Sequence, residues 1–148
     1  METQTKNKDY TTTITVNATP AIAFEKIAQV GGWWAKVFTG KALQQGDTFK
    51  VQFGETTVDF KVTEATPGNK IVWLVTDSFL HWQSAKTEWT GTKIIWEIDG
   101  VNNTTQIKMS HLGLVPGLQS YEGCKEGWTK HVTVSLVHFI NENKGEPY

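Results

Sequence analysis

A single cysteine, Cys124, stands in the 148 residues, so no intrachain disulfide can form and a reducing compartment suits the chain. No stretch approaches the roughly 20 apolar residues that a membrane-crossing helix needs. The opening METQTKNKDY has no apolar run able to serve as a signal peptide. Charge of one sign is missing too. Basic residues number 14 against 15 acidic ones, leaving a net charge of -1 with no basic block. That balance argues against nucleic acid or an anionic membrane as a partner. No internal repeat and no low-complexity segment divides the chain. These absences leave the expectation of a soluble, cytoplasmic protein forming one domain over residues 1–148, its core about 10–147. Hydrophobic residues at 39% are enough for a packed core, and a domain of this size buries roughly 70% of its unfolded surface.

What is there reads first as strand. Tyr10 to Val16, YTTTITV, is rich in threonine and β-branched residues. Thr19 then suits a helix N-cap and Pro20 the first helical position, with Ile22, Phe24 and Ile27 marking a short helix that Gly31 and Gly32 stop. The segment WWAKVFTG reads as a further helical turn. From Gly46 the period changes to two: Phe49, Val51 and Phe53, then Val58, Phe60 and Val62 after a tight turn at GET. TPGN at 66–69 is a turn, and IVWLV at 71–75 suits a central strand covered on both faces. Asp77 to Thr92 is too long for a hairpin turn and reads as a functional loop, with Phe79 and Trp82 as lid candidates. Ile94, Trp96 and Ile98 mark a strand, and DGVNN turns it into Thr105, Ile107, Met109 and His111.

A long helix closes the chain. Tyr121 to Lys144 covers about 24 residues, roughly 36 Å at the usual rise, with Gly145 expected in the left-handed stop position and Pro147 behind it. At 3.6 residues per turn, Tyr121, Cys124, Trp128, Val132, Ser135 and Phe139 form one stripe with His131 at its border. Six antiparallel strands and one long helix make an α+β arrangement. A bent sheet cannot touch a straight helix everywhere, so a space between them is expected.

The order of elements, the Trp33-Trp34 pair, the run EWTGTKIIWEI and the ending GWTKHVTVSLVHFINENKGEP resemble the SRPBCC superfamily. This is the START-like, helix-grip fold of lipid-transfer domains and the birch-pollen allergen. Within it, the chain is similar to the domain of activators of heat-shock-protein-90 ATPase. The resemblance implies a curved six-stranded sheet around the C-terminal helix, two short helices after the first strand, and a hydrophobic cavity between helix and sheet. The residues expected to line that cavity are Trp33, Trp34, Phe53, Phe60, Trp73, Trp96, Met109, His111, Cys124, Trp128, Val132, Ser135 and Phe139. Phe49 and Val51 face the same way. The alternative is that these rings simply fill the interior.

Chemical candidates are few. His131 and His138 are seven residues apart, about 10 Å, which is too far for a shared ion, and there is no HExxH. No metal and no cofactor is expected. Cys124 with His111 could form a nucleophile and base, but no nucleophile-elbow pattern occurs, and a lone cysteine usually packs. No residue is assigned a catalytic role. His111 follows the inward alternation and needs a partner, with Ser135 or a ligand oxygen as candidates. Asp59 with Lys61 and Glu88 with Lys86 read as solvated pairs. Val134 and Val137, on the helix back, suggest a homodimer contact.

Three functions are therefore carried. The first is a carrier of a small apolar or aromatic metabolite, gated by Trp33, Trp34 or the Phe79–Trp82 loop. The second is a cyclase or hydrolase acting in the cavity with His111 as acid or base. The third, co-chaperone stimulation of a heat-shock ATPase, follows from the family name alone, and 148 residues leave no room for the separate N-terminal domain of those activators. No chaperone partner is expected.

Overall fold

In the computed structural model, which describes residues 9–147, a single antiparallel sheet carries the architecture. The stretch read above for a signal peptide lies largely outside the described residues. The elements are β1 (Tyr10–Val16), α1 (Pro20–Ala28), α2 (Val30–Trp33), β2 (Val37–Gly40), β3 (Thr48–Phe53), β4 (Thr56–Thr66), β5 (Lys70–Phe79), β6 (Lys93–Val101) and β7 (Thr104–Leu112). The C-terminal helix follows in three pieces: α3 (Tyr121–Lys130), a π segment (His131–Leu136) and α4 (Val137–Glu142).

The sheet has seven strands in the order β1-β7-β6-β5-β4-β3-β2, which corrects the expected six. The extra strand is β2, cut from the WWAKVFTG segment read as helical. Four residues are too few to display a period. Pairing supplies what the pattern lacks: Val37 to Gly40 lie opposite Gln52 to Phe49, and Phe38 meets Phe49 with centroids 5.7 Å apart. Strand β5 also runs further than read, through Ser78 opposite Val58 and Phe79 opposite Thr57. Only the rest of the 77–92 stretch is loop. Register shifts between Asp59 and Phe60 and between Val62 and Glu64 bend the β4–β5 pair.

Gly31 and Gly32 do not stop the first helix as read: α1 ends at Ala28 with Gln29 as its C-cap, and both glycines lie inside α2. The N-cap and turn readings hold. Thr19 Oγ1 accepts from Ile22 N at 3.2 Å with Pro20 behind it. Gly68 takes a φ of 70° in the TPGN turn, and Asn102 takes 58° in the β6–β7 turn. Ile71, Trp73 and Val75 are buried on the inner face, while Val72 is buried and Leu74 half-buried on the outer one.

The terminal helix covers 22 residues, Tyr121–Glu142. Its buried face holds Cys124, Trp128, Val132, Ser135 and Phe139 as read, and is widened by Leu136 and Ile140. Asn143, not Gly145, takes the left-handed stop, at φ 58°. Asparagine tolerates that region better than other side-chain-bearing residues. Its carboxamide oxygen then accepts from Lys26 Nζ at 2.6 Å, tying the helix end to α1. Gly145 serves close packing instead, because a Cβ there would collide with the Gly32 carbonyl oxygen. Ser135 Oγ donates to Trp33 O at 2.6 Å and accepts from Glu146 N at 2.7 Å, so it fastens both α2 and the chain end to the helix.

Candidate functional site

Between the helix and the sheet, the interior divides into two regions. Toward α2 it is filled by rings. Trp96 stands edge-on to Trp33 at 5.6 Å and to Trp73 at 5.4 Å. Trp34 stacks over Trp73 at 6.3 Å, and Phe49 over Phe60 at 4.7 Å. Such offset and edge-to-face contacts suit aromatic quadrupoles and add about 0.5–1.5 kcal/mol per pair beyond burial. Trp33 Nε1 donates to Ile27 O at 3.2 Å, whereas the Trp73 and Trp96 indole N–H groups, buried among rings, have no acceptor.

Toward α3 the rings part. A cavity of about 610 Å³ opens between α3, the β3–β4 turn and the loop after β5. Trp34, Phe53, Trp89 and Trp128 wall it, Trp82 stands at its side 56% exposed, and α3 contributes Gly123, Cys124 and Gly127. Gly54, Glu55, Thr56, His81 and His131 complete the lining. Trp128 sits at the centre, 4.9 Å from Trp34 and stacked on Trp89 at 6.0 Å. A second hollow, about 430 Å³, lies over β2–β5 with Thr39, Lys50, Asp59 and Asp77 among its walls, and Lys50 Nζ is 3.8 Å from Asp59 there.

The Glu88-Trp89-Thr90 triplet builds one side of the larger cavity, each residue for a different reason. Glu88 Oε1 accepts from Ser120 N at 2.9 Å and Ser120 Oγ at 2.6 Å, and Oε2 accepts from Gln119 N at 2.9 Å. A carboxylate on free amides at a helix start is favourable for both hydrogen bonding and the helix dipole. The loop is thus clasped to α3, and the reading of Glu88 as a solvated partner of Lys86 is corrected. Lys86 Nζ instead donates to the His81 and Gln83 carbonyls at 3.2 and 2.7 Å. Thr90 Oγ1 shares a hydrogen bond with Ser78 Oγ at 2.9 Å, holding the loop to β5. Trp89, between these anchors, faces Trp128.

His111 is fully buried behind that wall. Its Nδ1 accepts from Trp128 Nε1 at 3.0 Å, and its Nε2 lies 2.9 Å from Thr92 Oγ1. Because Nδ1 accepts, the ring proton sits on Nε2 and donates to Thr92, whose own hydroxyl donates to Trp89 O at 2.6 Å. Both nitrogens are spent on the protein, and Ser135, one of the two expected partners, bonds Trp33 O and Glu146 N instead.

Of the residues expected to line a cavity, Trp34, Phe53, Cys124 and Trp128 do so. Trp33, Phe60, Trp73, Trp96, Met109 and Val132 belong to the filled region, His111 stands behind the wall, and Ser135 and Phe139 sit by α2 and the chain end. Trp89, His81, His131 and the glycines were not foreseen. For Trp89 the available signal was its place between Glu88 and Thr90, and for His131 its position at the stripe's border.

Burial sets the protonation states. It pushes the His111 imidazole down to about 3 and His131 down to about 4, with Lys130 adding to the second shift. It raises the Cys124 thiol to about 11, although the Ser120 hydroxyl and Trp89 indole act in the opposite sense. Partial burial works to raise Glu88 too, but the Ser120, Gln119 and Gln83 hydrogen bonds prevail and hold its carboxyl below the usual value. At neutral pH the cavity therefore presents a protonated thiol, a poor nucleophile, and a neutral imidazole. At its rim His81 Nε2 lies 3.6 Å from Glu55 Oε2.

Comparison with known proteins bears on the fold. No curated protein matches the sequence. The chain is similar to the solution structure of an Aha1 dimer from Colwellia psychrerythraea, with 22% identity over 93% of this chain and 99% of that one and a TM-score of 0.76. It is also similar to the protein SSP2350 from Staphylococcus saprophyticus, with 15% identity, 95% and 98% coverage and a TM-score of 0.71. DynU16, from the dynemicin biosynthetic locus, gives 16% identity over 95% of this chain and 49% of that one, with a TM-score of 0.69. A family model described as Cell division protein 48 (CDC48), domain 2 matches residues 35–111. That stretch spans β2 to β7 and leaves out β1, α1 and the terminal helix, whereas the structural likenesses take in nearly the whole chain, so the latter decide the fold. Over residues 35–111 the chain belongs to the family so described, and as a whole it shares the fold of the Aha1 structure.

Proposed function

We propose that the protein binds a small, mainly apolar ligand in the cavity between α3 and the loop after β5. One observation carries this reading: a cavity of about 610 Å³ walled by Trp34, Phe53, Trp89 and Trp128, beside an interior of the same composition that is filled. Aromatic walls with a few polar groups are the usual makeup of small-molecule sites. Each 100 Å² of apolar ligand surface buried supplies about 2.5 kcal/mol, so a ligand of two or three rings reaches micromolar affinity without an ion pair. Four wall tryptophans, counting Trp82, make binding visible. Titration with a panel of uncharged aromatic and aliphatic compounds should quench or shift indole emission and raise the melting temperature. Unchanged emission and melting across the whole panel would remove the binding reading.

A cyclase-type reaction in the same cavity is the second reading, favoured by the likeness to a protein of a biosynthetic locus. With the thiol protonated and His111 sealed behind Trp128, catalysis would come from positioning and exclusion of water, and His131 replaces His111 as the acid or base to test. Turnover unaffected by His131→Ala would dismiss that assignment.

A further inference from the structure

Gly123 and Gly127 are one turn apart on α3, and both border the cavity. Glycine inside a helix weakens it relative to alanine. Backbone geometry does not call for glycine here, since neither residue is among those with positive φ. Packing does not call for it either: a Cβ at either position would meet nothing within 4 Å. The feature that the two glycines share is the open space beside them. Bordering the same space are Trp89 and Trp128, stacked on each other within 9° of parallel.

Charge narrows the occupant further. All 14 basic residues of the chain are lysines, and none of the described residues lining the cavity is one. Lys86, on the loop that carries His81 and Trp82, is committed to two carbonyls. The carboxylate of Glu55 stands at the rim, 77% exposed. An anionic group inside would find no guanidinium or ammonium to offset its desolvation.

We propose that the bare helix surface at Gly123 and Gly127 makes the cavity selective for a flat, uncharged ring system, laid against the α3 backbone among the aromatic walls, and that fatty acids and other carboxylates are excluded. This rests on the binding reading above. Here Gly127, half-buried, is the principal determinant, and Gly123, exposed, shapes the mouth.

Three probes test it on the full chain: 1-pyrenemethanol, its anionic counterpart 1-pyrenecarboxylate, and 1-dodecanol as a flexible neutral chain. The unmodified protein should bind pyrenemethanol at least tenfold more tightly than pyrenecarboxylate. Gly127→Ala should melt about 2–4 °C higher, as expected for removing a helix-interior glycine from a domain this size, yet bind pyrenemethanol at least fivefold more weakly, with dodecanol changed less than twofold. The higher melting temperature shows that the loss is not misfolding. Undiminished pyrenemethanol binding in Gly127→Ala, or equal binding of the carboxylate, overturns this inference alone. If the unmodified protein binds none of the three, the binding reading falls and this inference with it.

Discussion

His111 shows how little room a buried polar side chain has for a second role. Its tautomer is dictated by Trp128 on one side and Thr92 on the other, and a proton added to Nδ1 would break the bond that orients the cavity's central ring. The consequence is a pH dependence of stability. In the unfolded chain His111 and His131 take up protons around the ordinary value of 6.5, whereas in the folded chain burial delays this to about 3 and about 4. Between those limits the unfolded state binds more protons, so stability is full above about pH 7 and declines as pH falls through 6 toward 4. Glu88 acts in the same direction lower down, since its depressed carboxyl is stabilising above the unfolded value of 4.5 and that benefit fades in stronger acid. Urea melts from pH 5 to 7 should show this decline, and His111→Gln, which cannot titrate, should reduce its slope to the His131 share. A profile level from pH 5 to 7 in the unmodified protein would refute the burial account.

Among the elements, the loop after β5 and the start of α3 behave as one unit because Glu88 bridges them. Replacing one carboxylate oxygen by an amide sets an N–H against the Gln119 or Ser120 amide. Charge-assisted bonds contribute about 1.5–3 kcal/mol when well shielded. Glu88 is half-exposed, so Glu88→Gln should cost about 1–2 kcal/mol. Hydrogen exchange should localise the loss to residues 80–92 and the first turn of α3, and a uniform loss over the sheet would contradict the clasp. Legibility also varied by element. Long segments with a clear period, β3, β4, β6, β7 and the terminal helix, were readable because their hydrophobic spacing is itself the record of which face is buried. Strand β2 was not, since Val37 to Gly40 becomes a strand only by pairing with β3. Asn143 displaced Gly145 as the helix stop because Gly145 is taken up by contact with Gly32.

Across the whole molecule, Trp34 is the partition between filled interior and open cavity. It touches Trp33 and Trp73 on one side and Phe53 and Trp128 on the other. Trp34→Ala should destabilise by about 3–5 kcal/mol, the usual range for deleting a buried large ring, and join new space to the cavity. The variant should then accept larger ring systems than the unmodified protein does. A loss of stability with unchanged ligand size selection would mean that the interior collapses instead. What the sequence by itself determined is the class of the fold and the inward direction of nearly every aromatic side chain, since alternation and helical spacing encode facing. Which of those rings pack against one another and which border a cavity was decided by the tertiary structure alone. That outcome depends on the separation of helix and sheet at each point, and the separation is set by contacts between residues remote in the chain: Ser135 with Trp33, Glu88 with Ser120, and Trp128 with His111.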